Sequence, residues 1–310
     1  MDSHHRYDVF VIGAGPAAWS AAIFLARAGI SVLVVGKKED SGLFDAAEVL
    51  NYAGFAEGIS GAELLDRFEA QAIKQGAVFV PGEVTFAAWD EGRECFTVKT
   101  AEQETYEASQ LVLAHGANYI KASVPGERER VGRGVHYCAL CDGPLYRGKE
   151  IAVLGNGNYA AEEALQLAVH AKRVTVISHS PQANFGDAYR SLLQEKGIGV
   201  VIGKAERIEG KGGVSGVQVR NGTMIGAQGV FVALGVASSA AFANQLGLEM
   251  NGDFVAVADQ RLRTSRAGVW AVGMARGGVN QVARSVGDGA VAAVDIIRTV
   301  KRLPQYIDHT

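Results

Sequence analysis

Two uninterrupted apolar runs, each opening onto a glycine-rich turn, organise the sequence. Val9-Phe10-Val11-Ile12 leads into Gly13-Ala14-Gly15-Pro16-Ala17-Ala18. Apolar residues then recur at helical spacing over residues 17–28, and past Gly29 a second apolar run covers 31–35. The pattern predicts strand, tight turn, helix, strand. The same order returns 142 residues further on: residues 151–154, then Gly155-Asn156-Gly157-Asn158-Tyr159-Ala160, a helix to Ala171 and a strand over 173–177. One G-x-G-x-x-A match is weak, but two copies in register with their flanking elements are strong. The glycines permit a tight turn and let a pyrophosphate approach the positive end of the helix. Two glycine-rich turns without a ligand are the plainer alternative.

Between the copies, residues 77–86 and 94–100 read as β-rich, closing with an apolar strand over 110–114, and a charged stretch over 121–133 leads into the second copy. After it come a buried strand at 229–234, short strands at 255–257 and 269–272, and a long helix from about Gln281 to Lys301. The expected fold class is α/β, with two Rossmann-like dinucleotide-binding domains of three-layer ββα form, one inserted in the other. The first domain would comprise residues 1–117 and 248–310, and the second 118–247.

A length of 310 residues agrees with two domains of about 150 each. Apolar residues at 48% and charged residues at 20% exclude a disordered chain. Thirty basic against thirty-three acidic residues leave a net charge of -3, which removes any electrostatic case for nucleic acid or an anionic membrane. Residues 9–26 are broken by Gly13, Gly15 and Pro16, and residues 221–248 carry five glycines, so neither reads as a membrane span. The first eight residues lack the basic region and apolar core of a signal peptide. With three cysteines, too few for a stapled secreted scaffold, a cytoplasmic location is expected.

Cys138 and Cys141 form a C-x-x-C pair. Two intervening residues let one turn bring both sulfurs to bonding distance, so a reversible disulfide is feasible. Gly143-Pro144 should end that turn at once and leave the pair on a short exposed loop. A zinc half-site is the alternative, because His136-x-Cys138-x-x-Cys141 has ligand spacing, yet no second Cys or His cluster completes it. An inert buried pair is a third reading, opposed by the polar, glycine-rich surroundings. Cys95, in an alternating strand, reads as a small core residue. Histidines 4, 5, 170, 179 and 309 form no metal pattern, and no metal is expected.

With these motifs in place, the sequence resembles the low-molecular-weight thioredoxin reductases over nearly its whole length. Gly132-Arg133-Gly134-Val135 and Cys138-Ala139-Leu140-Cys141-Asp142-Gly143 are similar to that family's redox motif and the segment before it. Gly13, Gly15, Pro16, Ala17 and Ala18 resemble its FAD pyrophosphate loop, and Asn51 lies in the stretch whose Asn faces the flavin ring. Ala114-His115-Gly116-Ala117 resembles the Ala-Thr-Gly-Ala turn beside the flavin, and Gln281 takes the place of a flavin-side Gln. The resemblance extends the FAD set to Gly36, Lys37, Gly42, Leu43, Val84, Gly273, Met274 and Val282, and the second nucleotide set to Gly155, Gly157, Asn158, Tyr159 and Ala160. It implies FAD, a homodimer, and dithiol–disulfide exchange with a thioredoxin-like protein. It further implies that Cys141 faces the flavin and Cys138 attacks the partner. Asp142 would then supply or accept the proton that exchange requires.

The departures from the family carry as much information. The strand after the second glycine motif ends, in the family, in His-Arg-Arg with a further Arg downstream, and these hold the 2′-phosphate of NADPH. Here the residues are Ser178-His179-Ser180 and, downstream, Phe185-Gly186-Asp187. A hydrogen bond to a charged group contributes about 1.5–3 kcal/mol, so losing two costs roughly 3–6 kcal/mol. That is about two to four orders of magnitude in affinity. Lys172 or Arg190 as substitutes form the bland alternative. His115 stands for Thr, Met274 for the Asp of a Gly-Asp pair, and Gly42-Leu43-Phe44 lacks a Gln. FAD should still bind through the pyrophosphate loop.

The sequence therefore reads as an FAD-dependent disulfide oxidoreductase for which NADPH is not the expected donor. It is similar to the branches of the family in which ferredoxin supplies electrons or a second FAD takes the vacated site. An NADPH-dependent reductase, a small-molecule dithiol oxidase and a flavin redox sensor without turnover are the competing readings. Tyr159 offers a ring for stacking in the second site or a core packing residue, and Tyr306 in the tail after Pro304 offers an aromatic cover for the flavin.

Overall fold

The computed structural model describes residues 5–117, 119–235 and 240–303. The tail aromatic expected over the flavin lies outside them. The chain divides into two compact units, Met1–Asn118 with Ala237–Thr310, and Tyr119–Val236. The second crossing thus comes about ten residues ahead of the boundary read from the sequence at 247/248. The helix Ala240–Leu246 causes the difference: Ala243 and Leu246 pack with Phe10, Leu33 and Phe96, and the Gln245 side chain accepts a hydrogen bond from the Ala87 amide at 2.9 Å.

In the first unit, parallel strands run in the order Val78–Pro81, Val32–Gly36, His5–Ile12, Thr105–Leu113, Val269–Ala271. The nine-residue strand Thr105–Leu113 is long enough to serve two neighbours on one edge. Its first half pairs antiparallel with Cys95–Thr100, which continues to Val84–Asp90, and its last three residues pair parallel with Val269–Ala271. The sheet therefore forks, which gives the extra β layer. Helices Pro16–Arg27 and Val282–Lys301 bury Trp19, Leu25, Ile296 and Ile297 on the other face. Their close crossing needs Gly289, where a Cβ would stand 2.3 Å from the Ala17 carbonyl oxygen. Cys95 is fully buried here, a core residue as expected.

The second unit repeats the strand order: Gly199–Val201, Arg173–Ile177, Glu150–Leu154, Gly229–Val232, Val135–His136, all parallel. The internal repeat in the sequence is thus a repeat of topology. Three helix ends differ from the sequence reading, both ends of Pro16–Arg27 by one residue and the end of Asn158–Leu167 by four. The first helix starts at Pro16, whose missing N–H is no loss at the first helical position. The helix Asn158–Leu167 stops four residues before Ala171, where the chain tightens: the Val169 and His170 amides turn back only three residues, to the Gln166 and Leu167 carbonyls. Three short strands, Ala205–Glu209, Gly216–Val219 and Met224–Gly226, add an antiparallel sheet that no long apolar run announced. The helix Gly61–Lys74 was also missed, although Ser60 and Glu63 carry a capping signal: the Ser60 hydroxyl accepts from the Glu63 amide at 3.2 Å. Among the described residues no helix is long and apolar enough to cross a membrane.

Candidate functional site

Gly13 turns the chain at φ +117°, and a Cβ there would meet the Ala114 carbonyl oxygen at 2.4 Å. Glycine alone lets the first motif lie against the Ala114-His115 backbone. Gly36 closes the other side: its Cβ would strike Ala14 N and the Gly13 backbone at 2.6 Å. Gly15 is the N-cap of the helix Pro16–Arg27 with no side-chain bond, and a Cβ there would meet only Ser41 Oγ at 3.5 Å. Uncapped amides facing open space, on a helix that Ala17 and Ala18 bury against the core, form a cradle into which a pyrophosphate fits.

The other residues expected to hold FAD have the following local surroundings. Asn51 Nδ2 donates to Gln281 Oε1 at 2.9 Å, so two residues 230 positions apart meet in one unit. Gln281 is the N-cap of the helix that begins at Val282. Lys37 is paired with Glu83 at 3.1 Å, a partner the sequence did not suggest. Gly42 is exposed, Leu43 is half-buried against Val49, Ile59 and Leu64, and Val84 opens an edge strand and packs on the core. Gly116 takes φ +72° with open space around it. Met274 does not leave its turn without a carboxylate. Asp288, from the long helix, accepts from the Gly273 amide at 3.0 Å while the Arg276 fork grips both its oxygens at 2.9 and 2.8 Å. Arg284 adds a contact at 3.1 Å. Asp288 and Asp295, seven residues apart on the buried face of this helix, were the signal for buried carboxylates there.

His115 packs against Phe242, and its Nε2 is buried without a hydrogen-bond partner among the described residues. Burial pushes its imidazole down to about 4. In the unfolded chain a histidine titrates near 6.5, so between these values the unfolded state binds a proton that the folded state does not. Stability present above pH ~6.5 is therefore lost as pH falls toward 4. Replacing His115 with Thr should spare the protein about 2 kcal/mol of this loss by pH 5. Denaturant unfolding at pH 7 and 5 measures it, and equal acid slopes in both proteins would place the imidazole in water instead.

Cys138 and Cys141 are joined as a disulfide. They do not sit on a loop: Ala139–Asp142 is a helical turn with Cys138 as N-cap, whose sulfur accepts from the Cys141 amide at 3.2 Å. Gly143-Pro144 does not end the turn but starts a 3-10 turn, Gly143–Tyr146, because Pro is at home in a first helical position. Cys138 is half-buried and Cys141 exposed. The Ala139 amide donates to the buried carboxylate of Glu163 at 2.7 Å, and burial pushes that carboxyl group up. His136, offered by spacing as a metal ligand, instead places Nδ1 3.1 Å from Asp142 Oδ2 and Nε2 2.7 Å from the Tyr146 hydroxyl. Neither Glu163 nor His136 had a sequence signal for these contacts.

The second glycine turn makes the same close approach as the first on a different backbone, its positive φ falling at Gly157 and not at Gly155. A Cβ on Gly155 would meet the Ala233 carbonyl oxygen at 2.2 Å, as Gly13 meets Ala114, and Gly157 at φ +93° caps a helix with no side-chain bond. Asn156 and Asn158 add something new, accepting from the Asn184 and Gly186 amides, each at 2.7 Å, so the loop after the next strand is tied to the turn. Ala160 is buried against Gly155. Tyr159 is 36% exposed, which removes the core-packing alternative, and burial with Glu163, Tyr119 and Glu162 nearby pushes its phenol up.

Two units of one dinucleotide-binding topology, one of them carrying a C-x-x-C disulfide, define a flavoprotein disulfide oxidoreductase. Residues 7–289 match the family described as pyridine nucleotide-disulphide oxidoreductase. The thioredoxin reductase of Bacillus subtilis is 32% identical over 321 residues, covering 99% of this chain and 99% of that one. The crystal structure of thioredoxin reductase from Streptococcus pyogenes overlays with a TM-score of 0.87 at 29% identity, over 97% of this chain and all of that one. The atypical thioredoxin reductase TRi from Desulfovibrio vulgaris Hildenborough is 35% identical, with a TM-score of 0.55 over 97% of this chain and 100% of its own. The chain belongs to the pyridine nucleotide-disulphide oxidoreductases and, within them, to the thioredoxin reductase family. It is a flavin-dependent disulfide oxidoreductase, and the family implies FAD.

Proposed function

We propose that the protein reduces a thioredoxin-like partner through Cys138 and Cys141, and that its electrons come from a donor other than NADPH. The observation that carries the second half is the loop at the end of the strand Arg173–Ile177, where a 2′-phosphate clamp would stand. Ser178 is fully buried, and its hydroxyl donates to the Ser180 carbonyl while accepting from the Gly203 amide. His179 accepts from the Ala205 amide through Nδ1, and burial together with Lys204 pushes its imidazole down, so it offers no positive charge. Arg190 is turned to the Phe185 carbonyl at 3.2 Å. Lys172 precedes the strand while Ser178 follows it, so five residues at about 3.3 Å each separate it from the clamp position. Lys204 is a point charge and lacks the planar fork of an arginine.

The cradle at Gly13 and Gly15 would hold the FAD pyrophosphate, with Asn51, His115 and Gln281 toward the ring. When bound, FAD supplies the electron pair that opens the Cys138–Cys141 disulfide. Cys138, as thiolate, then attacks a sulfur of the partner disulfide, forming a mixed disulfide and releasing one partner thiolate. Cys141 gives up its proton and closes on Cys138, releasing the second. Asp142 carries protons between Cys141 and the departing thiolates. A homodimer and a ferredoxin-type donor belong to the same proposal.

The test is anaerobic mixing of oxidised holoprotein with excess NADPH while the flavin absorbance is followed. The oxidised band should persist with NADPH and bleach with dithionite or reduced ferredoxin. Fast, complete bleaching by NADPH would return the protein to the NADPH-dependent reductases. Counting FAD per chain after acid extraction separates a single flavin from a second one held at Gly155 and Gly157.

A further inference from the structure

His136 stands at the end of the strand Val135–His136, buried, with its ring stacked on Phe231 at 5.2 Å and 26°. A buried imidazole with no polar partner would be costly, and this one has a partner on each nitrogen. Nδ1 lies 3.1 Å from Asp142 Oδ2, and Nε2 lies 2.7 Å from the Tyr146 hydroxyl. All three groups sit within the redox segment, and none is spent on holding secondary structure together. We propose that His136 is the positioning residue of Asp142: it orients the carboxylate beside Cys141 and shares the proton that disulfide exchange moves. The inference rests on the acid–base reading of Asp142 given above.

The geometry sets the direction of each bond. Burial and the Asp142 charge push the Tyr146 phenol up to about 12, so at neutral pH it keeps its proton and donates it to Nε2. Nε2 then accepts, and Nδ1 carries the hydrogen that points at Asp142. The carboxylate is thereby held in one orientation through Oδ2, on the residue next to Cys141. When Cys141 gives up its proton, the Asp142–His136 pair takes it up across their 3.1 Å contact. The other titratable groups on packed elements are Lys149, whose ammonium lies 4.9 Å over the Tyr146 ring; Glu163, bonded to the Ala139 amide; and His170, beside Gly143.

The experiment uses holoprotein reduced with dithiothreitol, freed of it anaerobically, and mixed rapidly with the disulfide reagent dithiobis-nitrobenzoate. Cys138 thiolate attacks, one nitrothiobenzoate leaves, and a mixed disulfide forms. Cys141 then loses its proton to the Asp142–His136 pair and closes on Cys138, and the second nitrothiobenzoate leaves with the electron pair. This reagent's leaving thiolate needs no proton, so the second phase reads deprotonation of Cys141. In the wild type the rate of that phase should change with pH through an inflection. His136→Asn keeps a donor toward Asp142 but cannot titrate, so it should remove the inflection and slow the phase about tenfold, with the first phase unchanged. Asp142→Asn should remove the same inflection. A wild-type inflection and rate in His136→Asn overturns the inference, whereas an unaltered Asp142→Asn overturns the acid–base reading of Asp142. Should His136→Asn fail to fold, Tyr146→Phe removes the donor to Nε2 and must displace the inflection; an unmoved inflection refutes the relay.

Discussion

Cys141→Ser should trap a thioredoxin-like protein on Cys138 as a stable mixed disulfide, and Cys138→Ser should trap nothing. Both variants should lose turnover entirely, because exchange needs one sulfur to attack and a second to resolve. The two cysteines form one disulfide, so neither has a substitute, and the remaining cysteine, Cys95, is fully buried in the other unit. Neither substitution disturbs packing: Cys138 is half-buried and Cys141 exposed. At position 138 a serine oxygen can take over the N-cap bond that the sulfur now accepts from the Cys141 amide. Non-reducing electrophoresis and intact mass measure the adduct. Turnover of a thioredoxin-like disulfide at the wild-type rate by either variant would refute the assignment, and adducts on Cys141 in Cys138→Ser would reverse the two roles.

Gly13→Ala should destroy the FAD cradle, while Gly15→Ala should weaken FAD without unfolding the protein. At Gly13 two penalties combine. The Cβ would lie 2.4 Å from a backbone oxygen, which cannot move without shifting the strand Thr105–Leu113. Overpacking of that kind costs about 1–3 kcal/mol. A φ of +117° adds about 1–3 kcal/mol for a side chain forced into a sparsely populated region. The sum, roughly 2–6 kcal/mol, is a large part of the 5–15 kcal/mol that holds an ordinary domain. Gly15 differs: its φ of -91° suits any residue, and its Cβ would meet only Ser41 Oγ at 3.5 Å. A methyl group there stands in the path of a pyrophosphate and leaves the fold alone. Gly116→Ala, with positive φ but open space, is the control for strain without collision. Flavin content per chain and thermal unfolding of the three variants separate these effects. Wild-type flavin content and stability in Gly13→Ala would remove the cradle from the FAD site.

Much of the architecture was legible in the sequence because its signals are local. A buried parallel strand must be a continuous apolar run, and a turn that opens onto a helix with no room for a side chain must be glycine. Both copies, at Gly13 and Gly155, announced themselves in this way, and the two matching strand orders followed. The C-x-x-C pair was equally legible, since two residues of separation set the reach of the sulfurs. The antiparallel sheet of the second unit was not, because its strands are only three to five residues long and leave no apolar run.

Other features were decided by residues far apart in the chain. Helix Ala240–Leu246 could belong to either unit by its own pattern; only the packing of Ala243 and Leu246 on Phe10 and Phe96 assigns it. Met274 seemed to remove a carboxylate from its turn, yet Asp288 reaches the Gly273 amide from a different helix. Lys172 looked available as a phosphate ligand because it is near in sequence, and the strand between carries it to the wrong end. His136 looked like half of a zinc site until its two nitrogens were seen to face Asp142 and Tyr146. The sequence by itself determined the two dinucleotide folds, the redox pair and the absence of arginine at Ser178-His179-Ser180, since each is written in covalent neighbours or in a periodic pattern. Only the tertiary structure decided which charges, donors and buried nitrogens meet, because a side-chain hydrogen bond depends on a few ångströms between elements whose separation along the chain carries no such information.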